Sequence, residues 1–415
     1  MRILVYSCYF PPTQIGGAKY NGEMVAWLAQ QGHEVRVVTA PPYYPAWRVS
    51  DGYSAGRYRR EQWRGATIWR CPIWIPRQAT GAKRILHLLS FALSSAFLVL
   101  RPALWKPDVV WLMSPSLFFA PTALLGARLS GASAWLHVQD FEVDAAFASG
   151  LLRHPVLRNC ALWLERKLMR RFDRVSTIST NMFALLRNKG VAESRCVLFP
   201  NWVDVGLIHP LDGHSSFRDE LEIPDGVNVA LYSGNMGEKQ GVDILLGAAR
   251  LLESDESVRF VLCGDGSARK RLKAEFGALS NVIWLPLQPV ERLNDLLNLA
   301  DIHLLPQIAD IADLVMPSKL TGMLASGRPV IATASAGTQV YEVVAQCGVV
   351  VPPGDPQALS RAIQGLSVDS GKRQELGEAA RRYAVDNMNA AQILPDFERA
   401  LVSCCKSGAR SRPAV

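Results

Sequence analysis

Apolar residues in this chain come in short unbroken runs, separated by stretches of helical spacing. Ile3–Tyr6 is the first run, the mark of a strand buried on both faces of a parallel sheet. Met24, Val25, Leu28 and Ala29 then recur at helical spacing within Lys19–Gln31, and Gly32 predicts the end of that helix. Val35–Thr39 is the next strand. A right-handed crossover makes this β-α-β opening parallel. Further strands are predicted at Thr67–Cys71, Val109–Leu112, Ala134–Val138 and Arg174–Ile178. A second series starts near residue 227. Its strands are Val229–Ser233, Val258–Cys263, Val282–Leu285, Ile302–Leu305 and Val330–Thr333. Helices at Val242–Glu253, Arg269–Phe276, Arg292–Leu299 and Leu320–Ser326 fall between them. Such alternation predicts an α/β protein with doubly wound sheets.

A length of 415 residues suits two domains. Asp204–Gly226, with Pro210, Gly213 and Pro224, reads as the linker. We expect an N-terminal domain over 1–204, a C-terminal domain over 205–387, and a disordered basic tail over 407–415. Hydrophobic residues make up 49% and charged residues 20%, which excludes a disordered, collagenous or coiled-coil chain. The charge is uneven: 25 Lys/Arg against 11 Asp/Glu in residues 1–200, and 20 against 26 afterwards. A basic half joined to an acidic half points to a charged surface. Eight cysteines show no C-x-x-C pair and no zinc spacing, so a reducing cytosol is expected and no metal site. Ile3–Phe10 is too short for a signal peptide.

Loops that directly follow strands are where ligands bind in open α/β sheets. Gly16-Gly17 precedes the first helix and would let an anion approach the backbone; a plain turn is the other reading. Ser233-Gly234-Asn235-Met236-Gly237-Glu238-Lys239-Gln240-Gly241 follows the first strand of the second series. Three glycines shape it, and Asn235, Lys239 and Gln240 supply donors suited to a phosphate or diphosphate. It lacks the Gly-Lys-Ser/Thr of a Walker loop. Cys263-Gly264-Asp265-Gly266 would also let a ligand lie against the backbone. Met316-Pro317-Ser318-Lys319-Leu320 opens a helix whose N-terminal amides form a second candidate anion cradle.

As an ordered set these loops resemble the retaining glycosyltransferases of the GT-B fold, family four. The resemblance rests on Tyr9–Pro12, Gly16-Gly17, Gly32–Val35, Pro200–Asp204, Ser233–Asn235, Gln240-Gly241, Cys263–Gly266, Ser326–Ala332 and Val351–Asp355. The stretch Leu136–Asp144 looks closest to fucosyltransferase-type enzymes of colanic acid (exopolysaccharide) synthesis. The resemblance implies two Rossmann-like domains facing a cleft, with a helix about 388–406 packing back on the first domain. It implies a nucleotide-sugar donor held by Gly16, Gly17, Asn235, Lys239, Gln240, Gly264, Pro317, Ser318, Lys319 and Leu320, and no metal. Two positions depart from the family. Its glutamate pair is replaced by Leu314 and Gly322, so sugar recognition would pass to Asp310, Asp313 or Glu342. Its strand-end histidine is replaced by Gln139, with His137 two residues before it and Asp140 beside it. His137 and Asp140 are the catalytic candidates, although a strand histidine also reads as a core residue. Glu142 and Asp144 are the acceptor-site candidates.

Residues 48–106 hold 11 Lys/Arg against Asp51 and Glu61. Within them Ile85–Leu100 is mostly apolar, flanked by Lys83, Arg84 and Arg101, with Trp47, Trp63, Trp69, Trp74 and Trp105 nearby. Sixteen helical residues span about 24 Å, short of a ~30 Å hydrocarbon core. The stretch reads as an interfacial or a core helix. Aromatic and basic residues together suit an anionic headgroup surface. No nucleic-acid recognition module appears, so no nucleic-acid partner is expected. The expectation is a retaining, metal-independent glycosyltransferase at the inner face of the plasma membrane, moving fucose from GDP-fucose onto a polyprenyl-diphosphate-linked sugar. A sugar-nucleotide epimerase of the same fold and a non-catalytic assembly protein remain alternatives.

Overall fold

The computed structural model describes residues 1–13, 16–77, 81–101, 105–113, 116–141, 143–144, 155–308 and 316–405, without the side chains of 116, 117 and 239. The chain forms two compact units, Met1–Pro200 with Ile393–Val415, and Asn201–Gln392.

The first unit is built on an eight-stranded sheet. Its strands are β1 (Arg2–Tyr6), β2 (Glu34–Thr39), β3 (Arg59–Trp63), β4 (Ala66–Arg70), β5 (Val109–Met113), β6 (Ser133–Val138), β7 (Arg174–Thr177) and β8 (Cys196–Leu198). Their order is β3-β4-β2-β1-β5-β6-β7-β8. Only β3 runs antiparallel, against β4. β5 and β6 are buried at every position, which is why they read as continuous apolar runs. The helices are α1 (Gly16–Gln30), α2 (Gly81–Val99), α3 (Ser116–Ser130), α4 (Pro155–Met169) and α5 (Thr180–Asn188).

Edge strand β3, Arg-Arg-Glu-Gln-Trp, has no apolar run and was not legible in the sequence. It carries Glu61 to Arg70 of β4, whose guanidinium is buried. Arg70 also donates to the carbonyls of Ala40 and Pro11, so the hairpin pins the loop after β1.

Helix α2 has 19 residues, about 28 Å, longer than the sixteen read from the sequence. Among the described residues it is the helix long and apolar enough, by length and composition, to cross a membrane. One face, His87, Phe91, Ser95 and Val99, is buried. His87 bonds to the Tyr43 hydroxyl and the Trp74 carbonyl, and Ser95 to the Tyr6 hydroxyl. The other face exposes Leu86, Leu89, Leu93 and Phe97 at i, i+3, i+7 and i+11.

The second unit has a six-stranded, wholly parallel sheet of β9 (Asn228–Ser233), β10 (Val258–Cys263), β11 (Val282–Leu285), β12 (Ile302–Leu305), β13 (Val330–Thr333) and β14 (Gly348–Val351). The order β11-β10-β9-β12-β13-β14 reverses direction between β9 and β12. That reversal is the crevice where ligands bind in such sheets. The helices are α6 (Ser216–Glu220), α7 (Val242–Leu251), α8 (Arg269–Phe276), α9 (Leu293–Asn298), α10 (Lys319–Ala325), α11 (Gln339–Val344), α12 (Pro356–Val368) and α13 (Ser370–Asn387).

The segment read as a linker is folded onto this unit. It contains α6, and Arg381 donates to the carbonyls of Val205 and Ile208. Polar and Gly/Pro content suggested freedom; long-range hydrogen bonds removed it. The last helix, α14 (Ala390–Cys404), carries Phe397 into the first unit. There Phe397 stacks on Phe199 at 4.0 Å and meets Trp111 and Trp135 edge-on. The tail 407–415 lies outside the described residues.

Candidate active site

In the second unit, the loops after β9 and β10 are zipped together. Gly234 N donates to the Cys263 carbonyl at 2.9 Å, and Met236 N to the Asp265 carbonyl at 2.8 Å. A Cβ on Gly264, held at φ +146°, would collide with the Gly234 carbonyl oxygen. Glycine is therefore a packing requirement here. The Tyr232 hydroxyl donates to the Asn235 carbonyl at 2.7 Å and fixes the height of the loop. Asn235 is exposed and Gln240 half-buried. Lys239 sits in a short 3₁₀ turn, Glu238–Gln240, and its side chain lies outside the described residues.

The expected amide cradle is largely consumed by the fold itself. Gly264 N donates to the Leu285 carbonyl at 3.2 Å, and Gln240 N to the Gly237 carbonyl at 3.0 Å. Leu320 N donates to the Pro317 carbonyl at 3.1 Å, and the Leu320 side chain is core. The expectation that the Leu320 amide completes the anion cradle is corrected accordingly, since its own turn satisfies that N–H, and the Gly264 N–H is spent on the end of β11. Pro317 and Ser318 are half-buried at the start of α10.

Lys319 is different. Its ammonium lies 4.1 Å from the centre of the Tyr232 ring. The nitrogen is inaccessible and has no hydrogen-bond partner among the described residues, although the residue as a whole is half-buried. Burial pulls its pKa down to about 7. Of the expected substitutes for the family's glutamates, Glu342 is exposed on α11, and Asp310, Asp313 and Leu314 lie outside the described residues. A side chain on Gly322 would press on Leu297, with its Cβ 3.2 Å from that residue's Cδ1.

In the first unit, Gly16 takes φ +36° at the start of α1. A Cβ on Gly17 would come within 2.9 Å of the Met113 Cε at the end of β5. Strand order reverses between β1 and β5, so the Gly16-Gly17 turn stands at that sheet's own crevice. Buried Asn21 of α1 donates to Ser7 Oγ at 2.9 Å and to the Tyr9 carbonyl at 3.1 Å, which ties this turn to β1.

His137 of β6 is buried, stacks on Trp111 at 5.0 Å, and has both ring nitrogens engaged. Nδ1 pairs with Ser176 Oγ at 2.8 Å and Nε2 with the Gln139 amide nitrogen at 2.9 Å. Burial drives its pKa down to about 3. This is a neutral core histidine that orients Gln139, which corrects its place among the catalytic candidates. Asp140, at the strand end, has its carboxyl pushed up to about 6 by burial. Asp144 is not free to meet a ligand with its whole carboxylate, because Lys189 Nζ holds one oxygen at 2.6 Å. The same ammonium holds Glu165 of α4 at 2.6 Å and lies 5.0 Å from the Phe141 ring. Burial raises the Glu165 pKa, and Lys189 opposes that rise. Glu142 lies outside the described residues.

Lys189, Arg70, Asn21 and Tyr232 were missed from the sequence. Arg70 could have been found, as an arginine ending an apolar strand pattern. Lys189 gave no signal, since its partners are 24 and 45 residues away. Among the described residues no group of three or more His, Cys, Asp or Glu could hold a metal ion.

Residues 16–202 match the glycosyl transferase 4-like domain, and residues 214–383 match glycosyl transferases group 1. The chain is 41% identical over 409 residues to WcaI of Escherichia coli (strain K12), named for a glycosyl transferase role in colanic acid biosynthesis. That match covers 96% of this chain and 98% of WcaI. Sucrose-phosphate synthase from Thermosynechococcus elongatus superposes with a TM-score of 0.76 at 18% identity, covering 97% of this chain and 98% of that one. Anabaena HepE, solved with UDP and glucose, superposes with a TM-score of 0.70 at 16% identity, covering 97% and 100%. Two Rossmann-like sheets, their glycine turns at the strand ends and these matches lead to one conclusion: the chain belongs to the family-four glycosyltransferases of the GT-B fold.

Proposed function

We propose that this enzyme transfers a sugar, with retention, from a nucleotide-sugar to a lipid-linked exopolysaccharide intermediate of the colanic acid type. The carrying observation is the pair of locked glycine loops after β9 and β10 beside the buried Lys319 ammonium. They leave a cation next to bare backbone, at the point where the sheet reverses, which suits a diphosphate. The full-length likeness to WcaI supports the pathway, and HepE's complex with UDP supports the donor class. The donor we propose is GDP-fucose. The second unit would hold it, and the first unit would hold the acceptor near Asp140. Protein cations would meet the charge that develops on the leaving diphosphate, so no metal is part of the proposal.

The acceptor's lipid carrier places the enzyme peripherally on the inner face of the plasma membrane in this reading. Support comes from the outward face Leu86, Leu89, Leu93 and Phe97, flanked by Lys83, Arg84 and Arg101. Neighbouring helices add exposed Leu125, Leu129, Val156, Leu157 and Trp163. Incubation with GDP-, UDP- and dTDP-sugars and a polyprenyl-diphosphate-linked acceptor tests the function. Product of the same anomeric configuration as the donor, seen by NMR, is expected. Free sugar released from the nucleotide without acceptor would favour the epimerase-type alternative instead. A chain that binds none of these nucleotides would be the non-catalytic assembly protein.

A further inference from the structure

The second unit contains an ammonium that no described residue answers. Lys319 Nζ is buried against the Tyr232 ring and has no hydrogen-bond or ion-pair partner among the described residues. Buried polar groups in folded proteins are almost always paired, and an unpaired buried charge is expensive. The Lys319 side chain also borders Gly234: a Cβ there would sit 3.5 Å from its Cδ and 3.9 Å from its Nζ. Glycine at this position lets the loop backbone pass close beside the lysine stem. The nearby amides of Gly234 and Gly264 are spent on the sheet ends. A ligand entering here would find a cation where backbone donors were expected.

We propose that Lys319 is the cation that receives the donor's diphosphate, and that it takes up a proton as the nucleotide binds. The inference rests on the reading that this unit holds a nucleotide-sugar. In the empty enzyme the neutral amine is tolerated in its apolar seat over Tyr232. A phosphate oxygen then supplies the hydrogen-bond acceptor and counter-charge that stabilise the ammonium. The surrounding elements carry few groups that titrate near neutrality. Tyr232 of β9 and Tyr383 of α13 are kept protonated by burial. His303 of β12 is kept neutral, with a pKa of about 3, by burial and by Arg328. Arg381 of α13 remains a cation despite the lowering effect of burial. Glu342 of α11 is exposed.

With a free-enzyme pKa of about 7 for Lys319, binding at pH 8 takes up about 0.9 proton. The affinity then falls about eightfold from pH 7.5 to 8.5, a window in which the terminal phosphate is already ionised. Calorimetric titration of the full chain with GDP, UDP and dTDP at pH 8, in Tris and in HEPES, reads the uptake directly. The nucleotide that binds should show it. Lys319→Met should abolish it and weaken binding at pH 7 by about tenfold or more, without lowering the melting temperature. Lys319→Arg should bind without uptake, because arginine stays charged. A nucleotide that binds wild type and Lys319→Met equally, or with no proton uptake in wild type, overturns the inference and leaves the donor reading intact. Uptake that persists in Lys319→Arg overturns it too, since the proton then goes elsewhere. If none of the three nucleotides binds wild type, the donor reading fails and this inference fails with it.

Discussion

Replacing Lys189 by methionine tests how the segment after β6 is held. The ammonium has a side-chain exposure of 6% and grips Glu165, at 3%, and Asp144, at 28%. Methionine is similar in length, so contact with Phe141 is largely kept and the change is mainly electrostatic. It strands Glu165 as a buried carboxylate. Removing one partner of a buried pair costs about 3–5 kcal/mol, whereas the more exposed Asp144 can rehydrate. For a unit of about 220 residues each kcal/mol moves Tm by roughly 2–4 °C. The expected loss at pH 8 is therefore about 6–20 °C. The pH dependence supplies the signature. Burial already raises the folded-state pKa of Glu165, and losing Lys189 raises it further. A folded carboxyl that holds its proton more tightly than the unfolded chain loses stability as pH rises from the unfolded value through the folded one. The deficit against wild type should thus be small near pH 5 and complete by pH 8. Adding Glu165→Gln should restore most of it, because the stranded charge is gone. Thermal melts of the three proteins at both pH values decide the matter. A Lys189→Met Tm within 2 °C of wild type at pH 8, or a larger deficit at pH 5, would refute the reasoning.

Gly264→Ala should drive a Cβ into the Gly234 carbonyl and part the two loops, costing about 1–3 kcal/mol in overpacking and a similar amount in backbone strain. A melt and nucleotide titration should show both stability and affinity falling; unchanged affinity would mean that the loops do not shape the site. Asp140→Asn should lower turnover by roughly a hundredfold or more and abolish the fall in activity below about pH 6 expected of its ionising carboxylate. The same variant should gain stability at pH 7.5, by roughly 3 kcal/mol, and little at pH 4, where the wild-type carboxyl is already protonated in the fold. Leu93→Glu with Phe97→Glu alters side chains 77% and 61% exposed, so Tm should move little while sedimentation with anionic vesicles at low salt falls at least about tenfold. Retained vesicle binding would remove α2 from the membrane reading.

What could be read directly was whatever local chemistry dictates. Strands such as Val258–Cys263 and Val330–Thr333 are apolar at nearly every position because a parallel sheet covered by helices buries both faces. The glycine turns after β9 and β10 were legible for the same kind of reason: a strand end followed by Gly admits only a few backbone paths. β3 was not, since an exposed edge strand needs no apolar pattern. The site divided along the same line. Gly234 and Gly264 announced themselves, but the amides around them were spent on neighbouring carbonyls, which no spacing rule foretells. Lys319 was already among the donor-binding candidates, but that Tyr232, 87 positions earlier, closes over its ammonium was not legible in the sequence. His137 looked available until Trp111 and Ser176 enclosed it. Burial and pairing are properties of contacts between distant segments, and they set charge state and reactivity. Local patterning thus set the two sheets and the turns at their edges, whereas contacts between distant segments settled which of the polar groups there is hydrated, which is paired and which has no partner among the described residues.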